Sequence, residues 1–544
     1  MLNWIDQRVP VRFVVFFAVV ALWVLSALQL AVGQVSFLWV LLLTGLVALG
    51  VYDLQQTSHA ILRNYPIIGH LRFLLEFVRP ELRQYFIEGD HDAVPFSRSQ
   101  RSLVYARAKG QTDKVPFGTQ VDVHAVGYEW LTHSISPSVI ASHNFRVQVG
   151  GAQCTQPYSI SLFNVSAMSF GALSANAVMA LNLGAKKGGF AHDTGEGSIS
   201  RYHREHGGDL IWEIGSGYFG CRNDDGTFNA ENFKKNALSP QVKMIEIKLS
   251  QGAKPGHGGV LPGPKVTPEI AEARGVPVGV DCISPAAHSS FSTPTELLQF
   301  VQSLREMSGG KPVGFKLCIG HPWEWFGIAK AMTTTGILPD FIVVDGSEGG
   351  TGAAPLELTD HMGMPMLEGL RLVHNTLVGL NLRQHIRLGA SGKIISGFDV
   401  LRTVALGADW CNSARGFMFA LGCIQAQTCH TGNCPTGVTT QDPKRQIALV
   451  VPNKSERVQS FHRHTLESVQ ELLQATGLSQ PSDLSLKHIM RRMSERDVKN
   501  LDSLMPSVAP GALLNSHNLT GLFEQYWADA SADQFQLKPQ SSKS

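Results

Sequence analysis

The chain has 544 residues, 44% hydrophobic and 17% charged, with 46 Lys and Arg against 44 Asp and Glu for a formal net charge of +2. So even a balance excludes the strongly basic footprint of a phosphate-backbone binder, and no nucleic acid is expected as a partner. Eight cysteines in this length exclude a disulfide-stapled scaffold, and the length allows a large core with accessory segments, since an α/β barrel takes about 250 residues.

No charged side chain occurs between Arg12 and Asp53. That run is about twice the ~20 residues that cross a bilayer, and Gly33 and Gln34 interrupt it midway. Two transmembrane helices are predicted, over 13–31 and 36–52, within an N-terminal segment 1–53 too long for a cleaved signal peptide. Arg8 and Arg12 precede the first span, and Arg63, Arg72 and Arg79 follow the second. The positive-inside bias therefore puts both ends, and everything that follows, on the cytoplasmic side of a cell inner membrane. In that reducing compartment cysteines are buried thiols or metal ligands. Residues 54–150 read as a linker or accessory region, in which LRFLLEFVRPELRQYF is amphipathic and suits either a membrane surface or a protein partner.

From about residue 158, short apolar runs end in Gly, Ser, Thr or a charged residue, and most lead into helix-like segments. They end near Ser169, Glu196, Gln251 and Ser284 (the last in GVDCIS), then around Lys316, after Phe341, near Lys393 and near Arg415. Eight strands alternating with helices in about 260 residues predict a (β/α)8 barrel over 151–455. A doubly wound open sheet has similar local patterns, but the clustering of polar residues at run ends favours the barrel, whose C-terminal strand ends share one face. One link is explicit: Thr293, Pro294 and Glu296 read as N-cap, N1 and N3 of a helix. Residues 456–544 read as amphipathic helices packed beneath or beside the barrel, with a disordered end from about 533.

Gly389-Ala390-Ser391-Gly392-Lys393 and Ser413-Ala414-Arg415-Gly416 close the seventh and eighth runs. They offer backbone N–H groups and a cation where barrels commonly hold a phosphate. Cys423, Cys429 and Cys434 follow in a C-x5-C-x4-C spacing. An iron–sulfur cluster with three thiolate ligands, a zinc site completed by His430, and unligated thiols all remain open on spacing alone. Cys154, Cys221, Cys282, Cys318 and Cys411 read as small buried residues.

Several motifs resemble the synthase domain of the bacterial and plant glutamate synthases: SAMSFGALS at 166–174, DTGEG at 193–197, KLSQGAKPGHGGVLPGPKV at 248–266, DGSEGGTGAAP at 345–355 and CHTGNCPTGVTTQ at 429–441. The resemblance covers about 150–450. It implies a (β/α)8 barrel carrying FMN and a 3Fe-4S cluster, which reduces the imine formed from 2-oxoglutarate and ammonia to L-glutamate. By motif, Ser166, Ala167, Met168, Ser169 and Lys316 line the flavin. Gly346, Gly350, Gly352, Gly392, Lys393 and Arg415 surround its phosphate, and Cys423, Cys429 and Cys434 hold the cluster. Glu196 lies near the substrate, while Lys248, Lys254 and Arg274 face its carboxylates. Such a dianion needs two or more cations.

The chain departs from the family pattern at His257 and Val260, where Glu and a substrate-contacting Gln are usual, and at Tyr218, where a flavin-side Arg is usual. The family's N-terminal glutaminase domain is replaced by the hairpin and linker, so ammonia is expected to come free or from a partner. No nicotinamide-binding unit is read from the sequence, so electrons are expected from an external donor, a ferredoxin-like or membrane redox protein. Three functions follow in order: glutamate synthesis, a related reaction on another 2-oxo acid or amine such as N-methylglutamate synthesis, and a non-catalytic electron-transfer subunit.

Overall fold

A computed structural model describes residues 11–92, 94–505, 507–515 and 519–537. They form two compact units, 1–93 and 94–544.

The first unit is built on two helices, α1 (Val14–Ala31) and α2 (Phe37–Gln55), both long and apolar enough to cross a membrane. Gly33 turns between them with φ +74°, a conformation that costs a residue without Cβ little, and Ser36 caps α2 by accepting from Leu38 N. Trp23 Nε1 donates to Thr44 Oγ1 at 2.8 Å across the pair. At the end of α2 the buried Asp53 accepts from Ile67 N at 2.9 Å and lies 2.9 Å from His70 Nε2. This fixes the start of the helix Gly69–Leu82, whose Leu71, Leu74, Leu75 and Phe77 are exposed.

In the second unit eight parallel strands close into a barrel: β1 (Phe163–Val165), β2 (His192–Asp193), β3 (Leu210–Ile214), β4 (Val242–Lys248), β5 (Val313–Leu317), β6 (Phe341–Asp345), β7 (Arg387–Ser391) and β8 (Trp410–Ser413). Pairing of Cys411 with Phe163 joins β8 back to β1. The strands are buried on both faces, which is why they read as apolar runs with little alternation. Two placements differ from expectation. LIWEI is the barrel strand β3, while GVDCIS supplies Cys282–Ile283, an antiparallel partner of Val260–Leu261 in the loop after β4. The outcome follows from burial: all five residues of β3 are buried, whereas Ile283 is 64% exposed.

The N-terminal end of the barrel is filled by Ala191, Ile211, Met244, Phe341, Val343 and Trp410, packed against Val149 and Ile160. Those two belong to an antiparallel ribbon, Arg146–Val149 with Tyr158–Ser161. Outside the barrel the helix Ala175–Gly188 lies close to the long helix Val451–Thr476, where a Cβ on Gly184 would come within 2.5 Å of Val458 Cγ1. The C-terminal region thus packs beside the barrel as expected, and it also contributes the strand Ile489–Arg492, paired with Glu129–Leu131 and with Val498–Asn500. Thr293 caps its helix by accepting from Glu296 N, and Glu296 accepts from Ser292 N, one residue before the cap. Just before the expected disordered end, Ala532 O accepts from Thr295 N at 3.0 Å, and within it Phe535 packs on the core. Residues 538–544 lie outside the described residues.

Candidate active site

The site lies at the C-terminal mouth of the barrel. After β2, Gly195 takes φ +64°, and a Cβ there would stand 2.6 Å from Ser169 N. This packs the DTGEG turn onto Ser166–Ser169, the segment following β1, where Ser166 and Met168 are buried and Ala167 and Ser169 half-buried. Ser166 N donates to Ser413 O at 3.0 Å, which holds this segment against the end of β8.

Glu196 is the centre of the charge arrangement. Its carboxylate pairs with Lys248 Nζ at 2.9 Å, at the end of β4. Cβ atoms on Gly215 or Gly259 would each fall 2.7 Å from one of its oxygens, so only glycines leave it room. Burial acts to raise the Glu196 pKa, but Lys248, Arg274 and Lys254 outweigh it and hold the carboxyl below its ordinary range. Lys254 is buried, which lowers its own pKa, with Nζ 3.4 Å from Gly258 O. Arg274 donates to Phe170 O at 3.2 Å and lies 5.1 Å over the Phe219 ring. All four sequence-predicted substrate residues are therefore assembled at one place.

Around this group the substitutions resolve differently. His257 is exposed and its Nδ1 lies 2.7 Å from Gly258 O, while Val260 is 41% exposed. Tyr218 is fully buried, its hydroxyl 3.1 Å from His288 Nδ1 and accepting from Ser290 N. His288 Nε2 in turn lies 2.9 Å from Lys248 O, so Tyr218 supports the Lys248 backbone through His288.

On the far side of the mouth, Gly346 N donates to Ser391 O at 2.8 Å, and a Cβ on Gly252 would meet Gly346 O at 1.8 Å. Two loops thus touch backbone to backbone. Arg415 donates to Thr351 O at 3.1 Å, beside Gly350, with Gly352 next to Cys429. Gly392 abuts Met366 and Glu348, and Lys393 follows in a left-handed conformation, φ +54°. Lys316 lies deeper, buried and hydrogen-bonded to Glu213 Oε2.

Cys423, Cys429 and Cys434 line a single small cavity together with Thr428, Pro435 and Thr439. His430, the candidate fourth ligand for zinc, is exposed and lies outside the cavity lining. Burial pushes the Cys423 thiol up to about 11. Burial acts the same way on Cys434, but hydrogen bonds from Thr436 and Thr439 bring that thiol down to about 7. Of the remaining cysteines, Cys221, Cys282, Cys318 and Cys411 are buried and Cys154 is half-buried.

The interior acids Asp193, Glu213 and Glu246 escaped sequence reasoning. The signal was present as a two-residue alternation that sets Met244, Glu246 and Lys248 on one face of β4, and Ile211 and Glu213 on one face of β3.

The conserved region of glutamate synthase matches residues 138–479. The chain is 37% identical over 517 residues to the glutamate synthase large subunit-like protein YerD of Bacillus subtilis, covering 88% of this chain and 96% of that protein. It is 36% identical over 315 residues to an archaeal-type glutamate synthase [NADPH] of Thermotoga neapolitana, covering 58% of this chain and 59% of that protein. An archaeal glutamate synthase [NADPH] of Methanocaldococcus jannaschii is 37% identical over 316 residues, again spanning 59% of its length. Among solved structures, a flavocytochrome b2 variant with pyruvate bound aligns over 82% of this chain and 91% of its own at 14% identity and a TM-score of 0.41. The match through the barrel, the mouth loops and the cysteine loop places this chain in the glutamate synthase family of oxidoreductases acting on CH–NH2 groups.

Proposed function

We propose that the chain is an FMN- and 3Fe-4S-dependent glutamate synthase that converts 2-oxoglutarate and ammonia to L-glutamate with electrons from an external donor. The observation that carries this reading is the charge at the mouth. Lys248, Lys254 and Arg274 surround the single carboxylate of Glu196, leaving an excess of two positive charges in a partly desolvated pocket, which a dicarboxylate neutralises.

FMN fits the residues present. Ser166, Ala167, Met168, Ser169 and Lys316 would hold its ring, and Gly346, Gly350, Gly352, Gly392, Lys393 and Arg415 its phosphate, where glycines leave the backbone open to close approach. When bound, it supplies the hydride for imine reduction. Lys254 and Arg274 bind and orient the substrate carboxylates, and Glu196, held ionised by Lys248, stands ready to accept or return a proton at the amino nitrogen. Cys423, Cys429 and Cys434 would hold the cluster through which a ferredoxin-like or membrane redox protein delivers electrons. The helices α1 and α2 would anchor the chain to a cell inner membrane with the barrel on the cytoplasmic side.

Exposed Val260 offers no hydrogen bond where the family usually presents an amide, and this favours a second reading in which another 2-oxo acid or an amine such as methylamine is used. One experiment addresses both. Detergent-purified, anaerobically handled protein should contain about one FMN and three irons per chain, and its reduced flavin should reoxidise only when 2-oxoglutarate and ammonium are both added. Reoxidation by a different acid or amine instead selects the second reading, and absence of flavin and iron overturns both.

A further inference from the structure

Below the mouth, four consecutive strands point ionisable side chains into the barrel: Asp193 from β2, Glu213 from β3, Glu246 from β4 and Lys316 from β5, all buried. One oxygen from each of the three carboxyls lies within 4.8 Å of the other two. Lys316 Nζ hydrogen-bonds Glu213 and stands 3.7 Å from Glu246 Oε1. Gly195 N donates to Asp193 Oδ1 at 3.0 Å, while Asp193 Oδ2 and both Glu246 oxygens meet no donor among the described residues. From the other strands, β6 contributes Asp345, which accepts from Ser391 Oγ of β7 and from Gly252 N, and β8 and β1 contribute the uncharged Asn412 and Asn164.

One ammonium does not balance three carboxylates away from water. Desolvating each further unpaired carboxylate costs several kcal/mol, and like charges this close do not all ionise. The cluster must therefore hold protons of its own, and an O–H on Glu246 also supplies the donor that Asp193 lacks. Burial, then the Glu213 charge, moves Asp193 up to about 7, while burial and Asp193 move Glu246 well above its ordinary range. Burial opposes the Lys316 charge, but Glu213, Glu246, Asp193 and Asp345 together keep it an ammonium.

We propose that Asp193, Glu213, Glu246 and Lys316 act as one proton-sharing unit, which takes up a proton from solvent when two electrons reach the flavin that Lys316 lines. The inference rests on the flavin reading given above. The electrons come singly from the external donor. The proton comes from water and forms an O–H bond on an ionised carboxyl of the cluster, whose gain of one positive charge offsets the negative charge arriving at the flavin. No bond to carbon is made or broken in this step. Asp193, Glu213 and Glu246 are positioning residues, acting through Lys316.

The test is a spectroelectrochemical titration of the FMN-loaded full chain at several pH values, reading protons taken up per two electrons. The expected result is one proton fewer in Asp193→Asn than in the unsubstituted protein, with flavin bound in both; equal counts overturn the proposal. Difference infrared spectroscopy of the flavin-free protein provides a readout that needs no cofactor. A protonated-carboxyl C=O stretch should be present and should be lost in Glu246→Gln, and its absence from the unsubstituted protein overturns the shared proton. A protein that shows the band but takes up no FMN refutes the flavin reading and the redox coupling, and leaves the shared proton supported.

Discussion

Lys265 Nζ donates to Cys429 O at 2.9 Å, linking the Gly-rich loop after β4 to the cysteine loop across 164 positions of sequence. The same lysine comes shortly after the strand Val260–Leu261, so the loop around Glu196 and the cysteine loop share a fixed point. Lys265→Met leaves a partly buried carbonyl without its donor, at a cost of about 1–3 kcal/mol. The expected outcome is a loosened cysteine loop with less iron per chain and an intact barrel, checked by iron analysis beside far-UV circular dichroism. Full iron retention would show that the loop needs no such tether.

Lys254→Met should raise KM for the oxo acid about 10–100-fold, the value of one charge-assisted hydrogen bond. The variant should keep its flavin, because Lys254 faces Glu196 and Gly258. Steady-state kinetics together with the visible spectrum check both parts. An unchanged KM removes Lys254 from the substrate site.

Gly252→Ala places a methyl group 1.8 Å from Gly346 O, so the two loops must separate. Gly252 N also donates to Asp345 Oδ2 at 2.9 Å, and that bond has to lengthen. The expected result is a folded protein that loses most of its flavin on gel filtration, read as the ratio of visible to ultraviolet absorbance. Normal flavin retention would show that this approach does not shape the cofactor site.

Stability should fall steeply as pH drops below about 6.5. Burial lowers His288 to about 4 and His192, His374 and His462 each to about 3. The folded state thus keeps them neutral while the unfolded chain protonates them at ordinary pKa. Between those values the unfolded state binds more protons, so stability is full above the unfolded pKa and is lost as pH falls toward the folded values. Each such histidine contributes about 1.4 kcal/mol per pH unit within its window. Urea unfolding at graded pH checks the slope, and His462→Gln should make it shallower.

The (β/α)8 architecture was legible because parallel strands buried on both faces leave largely apolar runs, as Phe341–Val344 does. LIWEI was passed over for GVDCIS because both are short runs with a single acid, and the burial of Ile211 against the exposure of Ile283 separates them. The grouping of Glu196, Lys248, Lys254 and Arg274 was legible through its glycine context, since Gly195, Gly197 and Gly259 around Glu196 mark a backbone shaped for close approach. The interior acids were not, because a glutamate in an apolar strand is meaningful only when its partner on the next strand is known. The role of Tyr218 was equally hidden, because its partner His288 lies seventy positions away.

Closure of the barrel by pairing β8 with β1 also fixes an order of events. Residues near 163 wait for those near 411 before the sheet has no edge, a contact of high sequence separation that forms slowly. The loops after β7 and β8 and the cysteine loop hang on the last two strands of the barrel, so their final arrangement exists only once the ring is shut. Loading of the proposed cofactors would therefore be a late event that reports on completed folding. Until then β1 and β8 present open edges, and that interval is when the nascent protein is most exposed to aggregation.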